Sequence, residues 1–260
     1  MPIITLTSDW GLKDHYTGAV KGTLLSQLPD AVILDITHEI DPFDLNQAAF
    51  VFRNSYRHFP EGTIHLIGIN TEADPKTPHT VIFHRGYYFI GSDNGLFSLI
   101  FDEIPDQMVE LEIMQDSDYF TFSTRDVFVK AAVLLARGAK MEELGKPRKT
   151  LLQKTSFVPV VDGNLIKGKV IYVDKYENAF VNITEEFFRK TVKGKKFSIL
   201  LKSVSHPLTS ISKSYRDVPE GEMVALFSTT GYLEIAINKG NAAGLLGLKP
   251  DTPIMIEIGK

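Results

Sequence analysis

Apolar positions in the first part of the chain fall into short blocks that alternate between a strand period and a helix period. Ile3 to Thr7 is an apolar run that stops on Asp9 and turns at Gly11, the pattern of a buried strand. His15 to Leu28 has helix composition and ends at Pro29. The unit then repeats. Ala31 to Ile36 reads as a second buried strand carrying Asp35 near its end, Pro42 breaks the chain, and Leu45 to His58 reads as the next helix. Thr63 to Ile69 is a third strand, finishing at Asn70. Strands alternating with helices of this length predict a mostly parallel sheet. Val81 to Phe83 and Tyr87 to Ile90, separated at Arg85-Gly86, predict a hairpin. A helix over Gly95 to Phe101, a strand over Val109 to Ile113 and an Ala-rich helix from Val127 to Arg137, stopped by Gly138, complete this part.

Near Pro147 the pattern changes to short strands with Gly, Pro and Asn turns at close spacing. The candidate strands are Phe157 to Val161, Leu165 to Val173, Phe180 to Ile183, Phe197 to Val204, Met223 to Phe227, Tyr232 to Asn238 and Ile254 to Ile258, with one helical turn at Glu185 to Lys190. The predicted fold class is therefore α/β. Residues 1–150 form an N-terminal α/β domain with a mostly parallel sheet, and residues 156–260 form a small all-β domain, sandwich or barrel.

Composition narrows the function classes. A formal charge of −4 without a Lys/Arg block disfavours nucleic acid or an anionic membrane as the main partner. Without cysteine there is no disulfide, thiolate nucleophile or Cys-based metal site, and the histidines lack ligand spacing, so no metal is expected. No apolar run reaches membrane-spanning length, and the start lacks a basic segment before a long apolar core, so the expected location is cytoplasmic. Gly163 to Lys169 has the glycine and lysine spacing of a P-loop, but Val170 replaces the required hydroxyl residue and a strand follows, so it reads as a hairpin. No G-x-S-x-G is present.

The first loop carries the candidate chemistry. One glycine and two carboxylates, Asp9 and Asp14, suit it poorly to phosphate, whereas an ionised Asp can accept both hydroxyls of a ribose. The structural alternative is that Asp9 caps the turn and Asp14 caps the helix.

Further short motifs follow along the chain: Asp41-Pro42-Phe43-Asp44, Ser92-Asp93-Asn94-Gly95, Phe122-Ser123-Thr124-Arg125-Asp126, Asp174-Lys175-Tyr176-Glu177-Asn178 and Ser228-Thr229-Thr230-Gly231-Tyr232-Leu233-Glu234. In this order, with Ser8-Asp9-Trp10-Gly11, the chain resembles the S-adenosylmethionine hydroxide adenosyltransferases, relatives of the fluorinase and chlorinase. The resemblance implies an N-terminal α/β domain, a C-terminal β-barrel, and a homotrimer with sites between subunits. It also implies cleavage of S-adenosylmethionine to adenosine and methionine by water at the 5′ carbon, with halide as the nucleophile in the halogenases. No cofactor is implied.

By the same resemblance Asp9 holds the ribose hydroxyls, and Asp14 and Asp174 lie near the methionine ammonium. Phe43 packs against the ribose, Asn178 binds the adenine edge, and Tyr176 and Phe180 form aromatic walls. Thr229 and Thr230 contact the amino-acid end, and Asn238 lies near the adenine. Structural readings stand beside these: barrel core for Tyr176 and Phe180, a helix staple for Phe43, a turn residue for Asn178, and a structural turn for Asp93-Asn94-Gly95.

The chain departs from the family where hydrolases carry an Asp-Arg-His set around the attacking water. Asn70 stands at the Asp position, Thr77 at the Arg position and Ser123 at the His position, while Thr124 stands where the fluorinase has a serine hydroxyl toward halide. Glu72 is the nearest carboxylate to replace the missing Asp, its structural alternative being a solvated loop charge. Three functions stay open at this point: a hydrolase that holds water with Asn70, Ser123, Thr124 and Glu72, a non-catalytic adenosine-binding module, and a 5′-halogenase.

Overall fold

Alternation along β1 (Ile3–Ser8) sends Ile4 and Leu6 to one face and Thr5 and Thr7 to the other, and all four are buried. A strand buried on both faces belongs at the centre of a sheet with helices above and below. The computed structural model describes residues 1–115, 118–155, 157–201 and 206–259, which divide into two units, Met1–Ser156 and Phe157–Lys260.

In the first unit, β1 is followed by α1 (Tyr16–Gln27), β2 (Val32–Thr37), α2 (Leu45–Arg53), β3 (Ile64–Gly68), β4 (His79–His84), β5 (Tyr87–Ser92), α3 (Leu96–Ile100), β6 (Gln107–Leu111), α4 (Val129–Ala136) and β7 (Gly145–Pro147). The sheet order is β2-β1-β3-β5-β4-β6-β7. The pairs β1 with β2, β1 with β3 and β3 with β5 are parallel, while β4 is antiparallel to β5 and β6, and β7 is antiparallel to β6. The sheet is thus mixed, with all strands but β4 and β7 running in the same direction. Ile4, Leu6, Ile64 and Leu66 pack with Val20 and Leu24 of α1 and Val129 and Val133 of α4. On the opposite face Ile67 and Phe89 pack with Phe52 of α2 and Phe97 of α3.

Three expectations are corrected here. β2 is not a buried strand: it lies at the sheet edge with one neighbour, and Leu34 is 42% exposed. The predicted helix from Leu45 to His58 is interrupted, with α2 ending at Arg53 and a separate 3₁₀ turn over Tyr56–His58. The helix predicted from Val127 begins with a π turn over Thr124–Phe128, in which the Val129 N–H donates to the Thr124 carbonyl, five residues back. The sequence reading missed β7. Its Gly145 lies so close to β6 that an added Cβ would collide with the Glu110 carbonyl oxygen, and its Pro147 is tolerated because β7 is an edge strand.

The second unit contains β8 (Val160–Asp162), β9 (Leu165–Val173), β10 (Ala179–Thr184), α5 (Glu185–Val192), β11 (Phe197–Leu200), β12 (Met223–Phe227), β13 (Tyr232–Ile237), α6 (Ala242–Leu246) and β14 (Pro253–Ile258). The antiparallel order is β11-β14-β9-β10-β13-β12, with β8 paired to β9. Ile166, Val170, Val181, Ile183, Leu233, Ile235 and Ile256 form its core. The P-loop-like stretch is the turn between β8 and β9, with Gly163 at φ 61°. The helical turn expected at Glu185 is an eight-residue helix, capped by Thr184 accepting from the Phe187 N–H at 3.2 Å. The sequence reading also missed α6, which starts at an Asn241 cap and ends at Gly247 with φ 64°. The strand expected from Phe197 to Val204 is seen as β11 to Leu200; residues 202–204 of that stretch lie outside the described residues.

Candidate functional site

The turn after β1 and the segment leading to α2 are tied together by three hydrogen bonds. The Gly11 N–H donates to the His38 carbonyl at 2.8 Å, made possible by Gly11 at φ 67°. Ser8 Oγ lies 2.6 Å from His38 Nδ1. The Phe43 N–H donates to Asp9 Oδ2 at 2.9 Å. Phe43 is held at φ 65°, a conformation that disfavours a side chain with a Cβ, and its ring is 70% exposed. Asp44 caps α2 by accepting from the Asn46 and Gln47 N–H groups.

Asp9 and Phe43, 34 residues apart, are therefore brought together, with one Asp9 oxygen anchored by the Phe43 backbone. The exposed Phe43 ring is not a helix staple. Asp14 is exposed, and the N-cap of α1 is His15 without a side-chain cap bond, so the capping reading of Asp14 fails.

Behind this turn, the C-terminal end of β3 is bare. A Cβ on Gly68 would collide with the Trp10 ring and stand 3.1 Å from Thr124 Oγ1. Ser123 and Thr124 are 3% and 1% exposed, and among the described residues Thr124 Oγ1 has no hydrogen-bond partner. The π turn presents them, a distortion that recurs at functional sites. Asn70 is at φ 46°, and the Asn94 side-chain amide donates to the Ile69 and Asn70 carbonyls at 2.9 and 3.1 Å. Glu72 is exposed. Buried Asp93 accepts from Arg148 at 2.9 Å and from the Leu152 N–H at 3.0 Å. Burial raises its carboxyl pKa, against the lowering pull of Leu152 and Arg148. Gly95 sits at φ 96°, so Asp93-Asn94-Gly95 is a structural turn.

In the second unit the loop between β9 and β10 is built around Asp174. Its Oδ1 accepts from the Tyr176 and Asn178 N–H groups, both at 2.9 Å, and its Oδ2 from Asn178 Nδ2 at 3.3 Å. Glu177 at φ 63° closes the turn. Tyr176 at its tip is 80% exposed, which rules out the core reading for this residue, whereas Phe180 is buried beside Tyr172 at 5.9 Å. At the β12–β13 hairpin Thr229 is exposed, and Thr230 Oγ1 lies 2.6 Å from Ser228 Oγ. Asn238 donates to the Val218 carbonyl at 2.8 Å, so its amide nitrogen ties a loop.

Sequence reasoning missed Glu234, 1% exposed and opposite Phe180 in the sheet, whose carboxylate accepts from the Tyr215 hydroxyl at 2.7 Å. Burial raises its pKa; the Tyr215 bond opposes this and nearby Asp174 adds to it. Its one sequence signal was a charge inside an apolar strand.

Residues 4–145 match the N-terminal domain of the SAM hydroxide adenosyltransferases, and residues 168–255 match their C-terminal domain. The (R)-S-adenosyl-L-methionine hydrolase of Thermus thermophilus is 30% identical, covering 96% of this chain and 97% of the relative. The fluorinase of Nocardia brasiliensis is 26% identical, covering 99% and 97%. A crystal structure of an uncharacterized conserved protein from Thermotoga maritima superposes with a TM-score of 0.87 at 29% identity, covering 98% of this chain and 99% of that one. With both domain matches in chain order and full-length relatives, this chain belongs to the S-adenosylmethionine hydroxide adenosyltransferase family.

Proposed function

We propose that this chain cleaves S-adenosylmethionine with water at the 5′ carbon, giving adenosine and L-methionine by in-line displacement. Family membership along nearly the whole chain carries the reading, and the Asp9–Phe43 pair at the strand edge supports it. Sulfonium leaves as a neutral thioether, so the step needs no general acid, metal or cofactor. The protein's work is to hold water in line with the carbon–sulfur bond and to exclude bulk solvent.

In this assignment Asp9 takes the ribose hydroxyls, Phe43 covers the ribose, and Asp14 and Asp174 face the methionine ammonium. Thr229 and Thr230 meet the amino-acid end, Tyr176 and Phe180 wall the adenine, Asn178 reads its edge and Asn238 lies close by. Asn70, Ser123 and Thr124 hold the water, and Glu72 polarises it. The buried, unpartnered Thr124 hydroxyl supports the water position. The two-domain division at residues 1–150 and 156–260, a closed barrel in the second part, and a cytoplasmic homotrimer complete the proposal. Phe43 and Tyr176, 70% and 80% exposed, suit a site finished by a neighbouring copy.

Chromatography of adenosine released from S-adenosylmethionine, with and without chloride or fluoride, tests the reading. Halide-independent adenosine is the expected product, formed about 10²- to 10⁴-fold more slowly than with a tuned acid–base group. Binding without product would instead mean an adenosine-binding module, and halide-dependent 5′-halo-adenosine a halogenase. Glu72→Gln should slow release by about tenfold, less than a buried base would, because Glu72 is exposed. An untouched rate removes Glu72 from the mechanism.

A further inference from the structure

Four side chains with no part in the assignment above, Ser8, His38, Asp35 and Lys21, line up from the strand edge to solvent. Ser8 Oγ lies 2.6 Å from His38 Nδ1, His38 Nε2 is 3.1 Å from Asp35 Oδ1, and Lys21 Nζ is 2.6 Å from Asp35 Oδ2. Ser8 and His38 are 1% and 2% exposed, whereas the Asp35 and Lys21 side chains are each 34% exposed. The Trp10 ring stacks on His38 at 6.2 Å and 18°. Partial burial pushes the Asp35 carboxyl upward, but the hydrogen bond from Lys21 and the nearby His38 ring hold it below its ordinary value.

The inner end of this path lies at the strand end where the water is proposed. Side chains alternate along a strand, so Ser8 shares the face of Ile4 and Leu6. Gly68, its register partner, shares the face of Ile64 and Leu66, which belong to the same cluster. The Trp10 ring covers Gly68, and a Cβ on Gly68 would meet that ring first and stand 3.1 Å from Thr124 Oγ1. Ser8 and Thr124 therefore flank the same bare glycine at the C-terminal end of the parallel strands.

Resting on the hydrolase reading, we propose that Ser8, His38 and Asp35 carry off the proton released when water attacks the 5′ carbon. A water lone pair forms the carbon–oxygen bond as the carbon–sulfur pair departs onto sulfur, leaving a neutral thioether and a protonated alcohol. The alcohol gives its proton to Ser8 Oγ while the Ser8 proton passes to His38 Nδ1. His38, carried as imidazolium beside ionised Asp35, discharges a proton to water at the Asp35–Lys21 edge. The set has the composition of an acyl-transfer triad, but its role here differs. Attack by Ser8 itself on an alkyl sulfonium would leave a stable ether on a buried serine and end turnover.

His38 and Asp35 are the positions to test. In His38→Ala, kcat for adenosine release should fall about 10²-fold, while the calorimetric Kd for adenosine stays within about threefold. Added imidazoles should restore kcat in proportion to their basicity. Rescue independent of basicity would show that the ring only fills space and would overturn the relay. Asp35→Asn, at the partly exposed end, should lower kcat about tenfold with adenosine affinity unchanged. This variant decides the matter if His38→Ala does not fold. Unchanged kcat in Asp35→Asn or in a folded His38→Ala, with an active wild type, overturns the relay and leaves the hydrolase reading standing. No adenosine from the wild type overturns both.

Discussion

Acidification is expected to destabilise the N-terminal unit more steeply in the wild type than in a His65→Phe variant, by about 3 kcal/mol between pH 6.5 and about pH 4. His65 on β3 is fully buried, with Nδ1 2.6 Å from Thr5 Oγ1. Its ring stacks on Phe89 at 5.2 Å and meets Phe52, Tyr56, Phe59 and Tyr87 at 5.3 to 6.0 Å. Among these rings an imidazolium has no hydration, and burial pushes the pKa from 6.5 down to about 3.

The folded value is depressed, so the unfolded chain binds the proton first. Stability is fully present above 6.5 and falls by about 1.4 kcal/mol per pH unit until the folded pKa is approached. His79, also lowered by burial against a raising bond to the Thr71 carbonyl, acts in the same direction in both proteins and cancels in the difference. The chain has a single tryptophan, Trp10, in this unit, so urea titrations followed by its fluorescence read the right transition. Equal pH slopes for the two proteins would mean that His65 is not held neutral.

Asp9→Ala is the second large effect, expected to weaken adenosine binding by about 2 to 3 kcal/mol, or about 30- to 150-fold. Two losses combine. The ribose loses a charged acceptor, and the Phe43 N–H loses the carboxylate that holds it at 2.9 Å in a left-handed conformation costing about 1 to 3 kcal/mol. Freed of that bond, the backbone at Phe43 relaxes and the ring leaves the place proposed for it over the ribose. Asp9→Asn keeps an oxygen for the Phe43 amide but loses the charge, so it should fall between wild type and alanine. Calorimetry with adenosine separates the three proteins. Identical affinities in wild type and Asp9→Ala would remove Asp9 from the site.

The strand–helix alternation of the first unit and the strand-rich second part were legible because they follow local periods of two and 3.6 residues. The position of Asp9 was legible for a related reason: an apolar run ending on a carboxylate puts that group at a strand end. Three elements had no such period. β7 is three residues long, α6 is five, and the π turn at Thr124 differs from an α-helix only in which carbonyl is reached.

Tertiary structure alone decided which strand lies at an edge, so β2, built of the same residue types as β1, is half-exposed while β1 is enclosed. It also decided which side chains meet across separate loops. Asp9 finds Phe43 34 residues away, Ser8 finds His38 30 away, and Thr5 finds His65 60 away. These pairings depend on the order in which strands cross. A local period fixes the direction of a side chain within its own element and carries nothing about which element will lie opposite.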